Sequence, residues 1–105
     1  MIRHCVFVRF RPEVERNERD AILADIVALK HRLGGIHAVH IGPNVSPETG
    51  MDKGFAEGFI VDFKDAASRD AYLVDPVHQA AGGRLVAAAD GGIAGILVYD
   101  LELPA

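Results

Sequence analysis

An α+β domain with four strands and two helices in the order β-α-β-β-α-β is what the 105-residue sequence predicts. Three observations carry that reading. Apolar residues alternate strictly over residues 2–10, aliphatic residues then recur at helical spacing up to a glycine pair, and a second helical stretch, broken by a proline, precedes a last strand-like run. Half of the residues are hydrophobic and a quarter charged, an ordinary globular composition that argues against disorder, and the length suits one domain over residues 1–105 rather than two.

Along residues 2–10, Ile2, His4, Val6, Val8 and Phe10 share one face, the period-2 signature of a half-buried strand, so His4 is expected to point inward among aliphatic side chains. Asn17, with Glu18 and Asp20 behind it, marks a helix start. Ile22, Ile26, Leu29 and Leu33 form its apolar stripe, and Lys30, His31 and Arg32 before Gly34-Gly35 mark its end. Residues 36–41 read as the second strand, closed by Gly42-Pro43-Asn44 and followed by a polar loop over 46–53. Residues 54–63 read as the third strand, with Phe55, Glu57, Phe59, Val61 and Phe63 on one face and Glu57 as its polar member. Asp65 or Ser68 caps the next helix, which Pro76 interrupts before it resumes through Val77 to about Ala89. Asp90-Gly91-Gly92 ends it, and residues 93–103 form the last strand. Two β-α-β halves of this kind describe a ferredoxin-like antiparallel sheet with both helices on one face.

The stretch richest in chemistry is Tyr72-Leu73-Val74-Asp75-Pro76-Val77-His78. Pro76 stops the helix that carries Tyr72 and places His78 in the first turn of the next piece, which sets a near-neutral proton acceptor beside a phenol at a backbone discontinuity. The alternative is plainer: Tyr72 is a core-edge aromatic and His78 an ordinary residue of a helix N-terminus. In the expected sheet the first and third strands are central neighbours, so His4 and Glu57 are expected close together beneath the helices. With Tyr72 and His78 closing over them, and Phe55, Phe59, Ile26 and Leu29 around them, these residues would line an apolar pocket with a few convergent polar groups, suited to a small carbonyl or phenolic ligand. His78 would then remove a proton alpha to a carbonyl while Tyr72 steadies the developing enolate, without a cofactor.

Other classes are disfavoured. The net charge is −4 and the basic residues are scattered, which opposes nucleic acid as a partner. No apolar run of about 18 residues and no basic-then-apolar leader is present, and the single cysteine excludes an internal disulfide, so a cytoplasmic protein without a membrane partner is expected. Cys5 reads as a small buried hydrophobe. His37 and His40 stand three apart in a strand and point to opposite faces, so no metal is expected there. The glycine pairs make no phosphate-binding pattern, and nothing marks a haem ligand.

With that order of elements, the segments Ile2-Arg3-His4, Gly42-Pro43-Asn44-Val45-Ser46, Gly54-Phe55-Ala56-Glu57-Gly58-Phe59, Tyr72 to His78 and Val98-Tyr99-Asp100 resemble, in order and spacing, the stress-responsive dimeric α/β-barrel (Dabb) family over essentially the whole chain. The resemblance implies a homodimer in which two sheets make a barrel. An open four-stranded sheet has unpaired edges and a bare face, and a partner covers both. Cys5, Phe7, Ala38, His40, Ile60, Leu97, Tyr99 and Leu101 are the residues expected on that face. A plant branch of the family cyclises polyketides by aldol chemistry with a histidine and tyrosine that match His78 and Tyr72, but it has a histidine where this chain has Glu57. Most bacterial relatives have no assigned activity. Three roles follow as expectations: a binder of a small apolar carbonyl or aromatic compound, a cofactor-independent cyclase, lyase or isomerase with His78 as general base, and a non-catalytic structural stress protein.

Overall fold

The computed structural model describes residues 1–104; Ala105, the last residue of the expected domain, lies outside the described residues. Strands β1 (Ile2–Val8), β2 (Ile36–Pro43), β3 (Glu57–Phe63) and β4 (Ile96–Glu102) form one antiparallel sheet in the order β2-β3-β1-β4. Helix α1 (Arg16–Ala28) follows β1, and α2 (Ala66–Val74) and α3 (Pro76–Ala88) follow β3. The expected central pairing of the first and third strands is present. The inward side chains Ile2, Val6, Val8, Phe59, Val61 and Phe63 meet Ile22, Leu23, Ile26 and Leu29 of the first helical segment and Tyr72, Ala81 and Leu85 of the later helices in one core.

Several boundaries differ from the pattern, each for a local reason. α1 begins at Arg16 with Glu15 in the extended cap position, so Asn17 lies inside the helix, and a short 3-10 turn over Leu29–His31 ends it. β2 runs on to Pro43, because Pro43 still pairs with Glu57 across the edge of β3. β3 starts at Glu57 rather than Gly54, since Lys53 (φ 55°) and Gly54 (φ +84°) turn the chain out of extended geometry. Gly92–Gly95 form a 3-10 turn, so β4 starts at Ile96. Asp65, not Ser68, caps α2, its carboxylate accepting the Ser68 N–H at 2.8 Å.

The break at Pro76 is sharp. Asp75 (φ −66°, ψ 130°) ends α2 and caps α3, its carboxylate accepting the N–H groups of Val77 and His78 at 3.0 Å each, while Pro76 occupies the first helical position where no N–H is needed. Further along α3, a Cβ added at Gly82 or Gly83 would meet nothing within 4 Å. Gly82→Ala and Gly83→Ala should therefore each raise the unfolding free energy by about 0.5–1 kcal/mol, measured by urea titration. Gly95→Ala should do the reverse, because its Cβ would clash with the backbone of Asp90.

Candidate functional site

Four rings gather where the middle of β1 meets α2 and the start of α3. Phe63, fully buried, stands 5.0 Å from Tyr72 and 6.1 Å from His4, centroid to centroid; His4 stands edge-on to Tyr72 at 5.8 Å; Tyr72 and His78 approach to 4.0 Å. His4 points inward as its parity in β1 requires, Tyr72 reaches in from the last turns of α2, and the Asp75-Pro76 cap sets His78 one turn beyond it.

Each polar group of this cluster has a distinct status. His4 Nδ1 lies 2.6 Å from Asp100 Oδ1, and Arg69 of α2 donates to the other Asp100 oxygen at 3.0 Å. Burial pushes the Asp100 carboxyl up, but the hydrogen bonds from His4 and Arg69 outweigh it and hold the group below the ordinary carboxylate range. A carboxylate only accepts, so Nδ1 carries the proton and the His4 ring is fixed in tautomer and direction. The Tyr72 hydroxyl and His78 Nδ1, in contrast, are both buried and have no hydrogen-bond partner in the protein. Burial pushes the Tyr72 hydroxyl well above the ordinary phenol value and keeps it protonated. Burial, helped by nearby His4, lowers His78 below the ordinary histidine value against the opposing pull of the Leu73 carbonyl and Asp75. Two rings in contact, 4.0 Å apart centroid to centroid, thus each carry a buried polar atom without a partner, one a protonated phenol and the other a neutral imidazole.

Below the ordinary histidine range the unfolded chain binds a proton at His78 that the folded chain resists, so stability falls as pH drops from about 7 toward 5. His78→Gln should flatten that part of the stability profile, measured by denaturant titration at each pH.

Glu57 does not join the cluster. It faces inward as expected but pairs with Val8, whereas His4 pairs with Val61, four residues and about 13 Å farther along β3. There Glu57 Oε1 accepts from Arg16, and Oε2 accepts from Arg19 at 3.3 Å. Arg19 also donates to the carbonyls of Val14 and Arg11, so the carboxylate staples the segment before α1 to the start of β3. Glu57→Gln should cost about 1–3 kcal/mol through the buried Arg19 bond while leaving the His78 titration in place, as NMR of the imidazole resonances would report.

The expected apolar ring is also dispersed. Ile26, Leu29 and Phe59 belong to the same core as Tyr72, but Phe55 stacks under the Arg9 guanidinium at 4.8 Å and lines a hollow on the open face of the sheet. That hollow, of about 880 Å³, is walled by Phe7, Ile41, Met51, Ile60 and Leu97; a second groove, of about 770 Å³, runs between α1 and β2 past Leu23, Val27, Ile41 and Glu57. Neither reaches His4, Tyr72 or His78. Asp100 and Arg69 are the site residues that pattern reading missed. The available signal for Asp100 was a carboxylate following the apolar run Ile96-Leu97-Val98 of the last strand.

No group of three or more potential metal ligands occurs among the described residues, and no helix there is long and apolar enough to cross a membrane. Residues 2–103 match the family described as the stress responsive A/B barrel domain. No curated protein sequence matches the chain. Among solved structures, a dimeric ferredoxin-like protein of unknown function from Jannaschia sp. CCS1 is 36% identical, with a TM-score of 0.90 over 97% of this chain and 98% of that one. The hydroxynitrile lyase of Passiflora edulis is 19% identical, with a TM-score of 0.85 over 98% of this chain and 93% of that one. A Dabb family protein with a ferredoxin-like fold from Mesorhizobium loti is 22% identical, with a TM-score of 0.76 over 99% of this chain and 97% of that one. The ferredoxin-like fold expected from the order of elements is thereby borne out.

Proposed function

Because the chain belongs to the stress responsive A/B barrel domain family, we propose that it acts as a homodimer that binds a small, largely apolar carbonyl or phenolic compound between Tyr72 and His78. The observation that carries this reading is the pair of buried, partnerless polar atoms, Tyr72 Oη and His78 Nδ1. Buried polar groups are normally hydrogen-bonded, and two left open on neighbouring rings of one aromatic cluster supply a donor and an acceptor for a polar ligand. His4, fixed by Asp100, adds a third polar group at the edge of the same cluster. A thermal-shift panel of small phenols, aromatic aldehydes and aryl ketones tests it. At least one class should raise the melting temperature in a concentration-dependent way that Tyr72→Phe abolishes. Shifts equal in wild type and Tyr72→Phe would remove the ligand from this site.

A catalytic form of the same reading is favoured by the protonation states. A neutral His78 accepts the proton alpha to a bound carbonyl, the Tyr72 O–H donates a hydrogen bond to the enolate oxygen that forms, and the imidazolium returns the proton to carbon or oxygen in the second half of the cycle.

The homodimer is supported by the open face of the sheet, where Leu97, Tyr99 and Leu101 of edge strand β4 are 40–58% exposed beside half-buried Phe7 and Ile60. The similar Jannaschia protein is described as dimeric. Native mass spectrometry should give twice the 11.3 kDa chain mass, and Leu101→Glu should shift the protein to monomer.

A further inference from the structure

Tyr72 is 1% exposed and neither cavity reaches it, so a ligand enters only if some element moves. The elbow between α2 and α3 is lightly held by apolar contact. Leu73, Val74 and Val77 are 40%, 70% and 43% exposed, so little apolar burial anchors it. Farther along α3, Ala81, Leu85 and Ala88 are buried and Arg84 pairs with Asp25 of α1 at 2.6 Å.

One carboxylate concentrates the polar attachments of the elbow. Asp75, buried at the break, accepts the N–H groups of Val77 and His78 and also takes the Arg32 guanidinium, with Nε at 3.1 and 3.2 Å from its two oxygens and Nη2 at 3.1 Å from Oδ1. Arg32 lies just after the 3-10 turn that ends the first helical segment. Among the described residues, it supplies every hydrogen bond recorded between residues 73–80 and the protein outside α2 and α3. Asp75 therefore fixes the backbone of His78, and its pairing with Arg32 ties the elbow to the end of the first helical segment.

We propose that Arg32 and Asp75 form a latch that holds the α2–α3 elbow closed over Tyr72 and His78, and that they are positioning residues for His78. The proposal rests on the site reading above and deepens it. Opening the latch swings the elbow outward about the better-anchored remainder of α3 and brings the two partnerless polar atoms to solvent or ligand.

Hydrogen exchange and imidazole NMR test this without any ligand, so a failed latch and a failed ligand site give separate results. His78 is faced by His4 from β1, by Tyr72 from α2 and by Asp75 at the elbow, with Asp100 behind His4, so its titration reads the closure directly. In Arg32→Ala, amides of residues 76–80 should exchange about tenfold faster while those of β1 and β3 hold their rates, and His78 should titrate closer to the ordinary histidine value. Arg32→Lys, which keeps the charge, should lie nearer the wild type. Asp75→Asn keeps a helix cap while removing the ionic bond, so it should reproduce the faster elbow exchange of Arg32→Ala without loss of the helix, whereas its lost charge, which favours the imidazolium of His78, opposes the shift in titration. Unchanged elbow exchange in both Arg32→Ala and Asp75→Asn, or an unchanged His78 titration in Arg32→Ala, would overturn the latch. So would a uniform acceleration across the sheet, which marks general destabilisation instead.

Discussion

Tyr72→Ala should cost about 3–5 kcal/mol of unfolding free energy, whereas Tyr72→Phe should cost nothing or stabilise the unliganded protein by about 1 kcal/mol. The ring is 1% exposed and packs on Phe63, His4 and His78, so its removal leaves an aromatic-sized hole in the core. The hydroxyl is buried without a partner, so deleting it removes a desolvated dipole and no intramolecular hydrogen bond. Urea titration of wild type and both variants at one protein concentration measures the pair. A loss above about 1 kcal/mol in Tyr72→Phe would mean that the hydroxyl is satisfied within the folded protein, and the argument for an open valence at the site would fail.

His78→Ala should lower the rate of alpha-proton exchange of a simple aryl ketone such as acetophenone in heavy water by about 10²–10⁴-fold, the usual contribution of a positioned general base. Burial keeps the imidazole neutral at physiological pH, and no side chain competes for its buried nitrogen. Tyr72→Phe should lower the rate as well, since the enolate oxygen would lose its donor. Proton NMR of the ketone, with a no-protein control, gives the rates. If wild type exchanges the ketone well above that control and His78→Ala matches it, the base is another group. If wild type itself does not exceed the control, the acetophenone reaction is not one this site performs, and the binding reading stands on the thermal shifts alone.

What the sequence disclosed and what it withheld divide along range of contact. Alternation in Ile2 to Phe10 gave the inward face of β1 and therefore the direction of His4, because strand parity is a local property. Pro76 gave the break and the place of His78 for the same reason, and the Asp-Pro pair carried an unread cap signal that the Asp75 carboxylate bears out. Glu57 shows the limit. Parity placed it on the right face, but the height of a residue along a strand depends on register, and register sets Glu57 opposite Val8 rather than His4. Its arginine partners come from α1, whose placement over the sheet is a packing outcome. Asp100 was hidden in the same way, since it meets His4 through a pairing of β1 with β4 across 96 residues. The start of β3 failed on backbone geometry: Gly54 at φ +84° bends the chain where the alternation alone reads as strand.

The five histidines allow the central claim to be tested in one experiment. Imidazole resonances of wild-type protein would be followed by NMR while 4-hydroxyacetophenone, which carries both a phenol and a carbonyl, is added. The account predicts saturable shifts at His78 and His4, no saturable shift at exposed His31, His37 and His40, and loss of the response in Tyr72→Phe. Saturable shifts confined to the exposed histidines, or none at all up to the solubility of the probe, would contradict a small-molecule site for carbonyl or phenolic compounds between Tyr72 and His78.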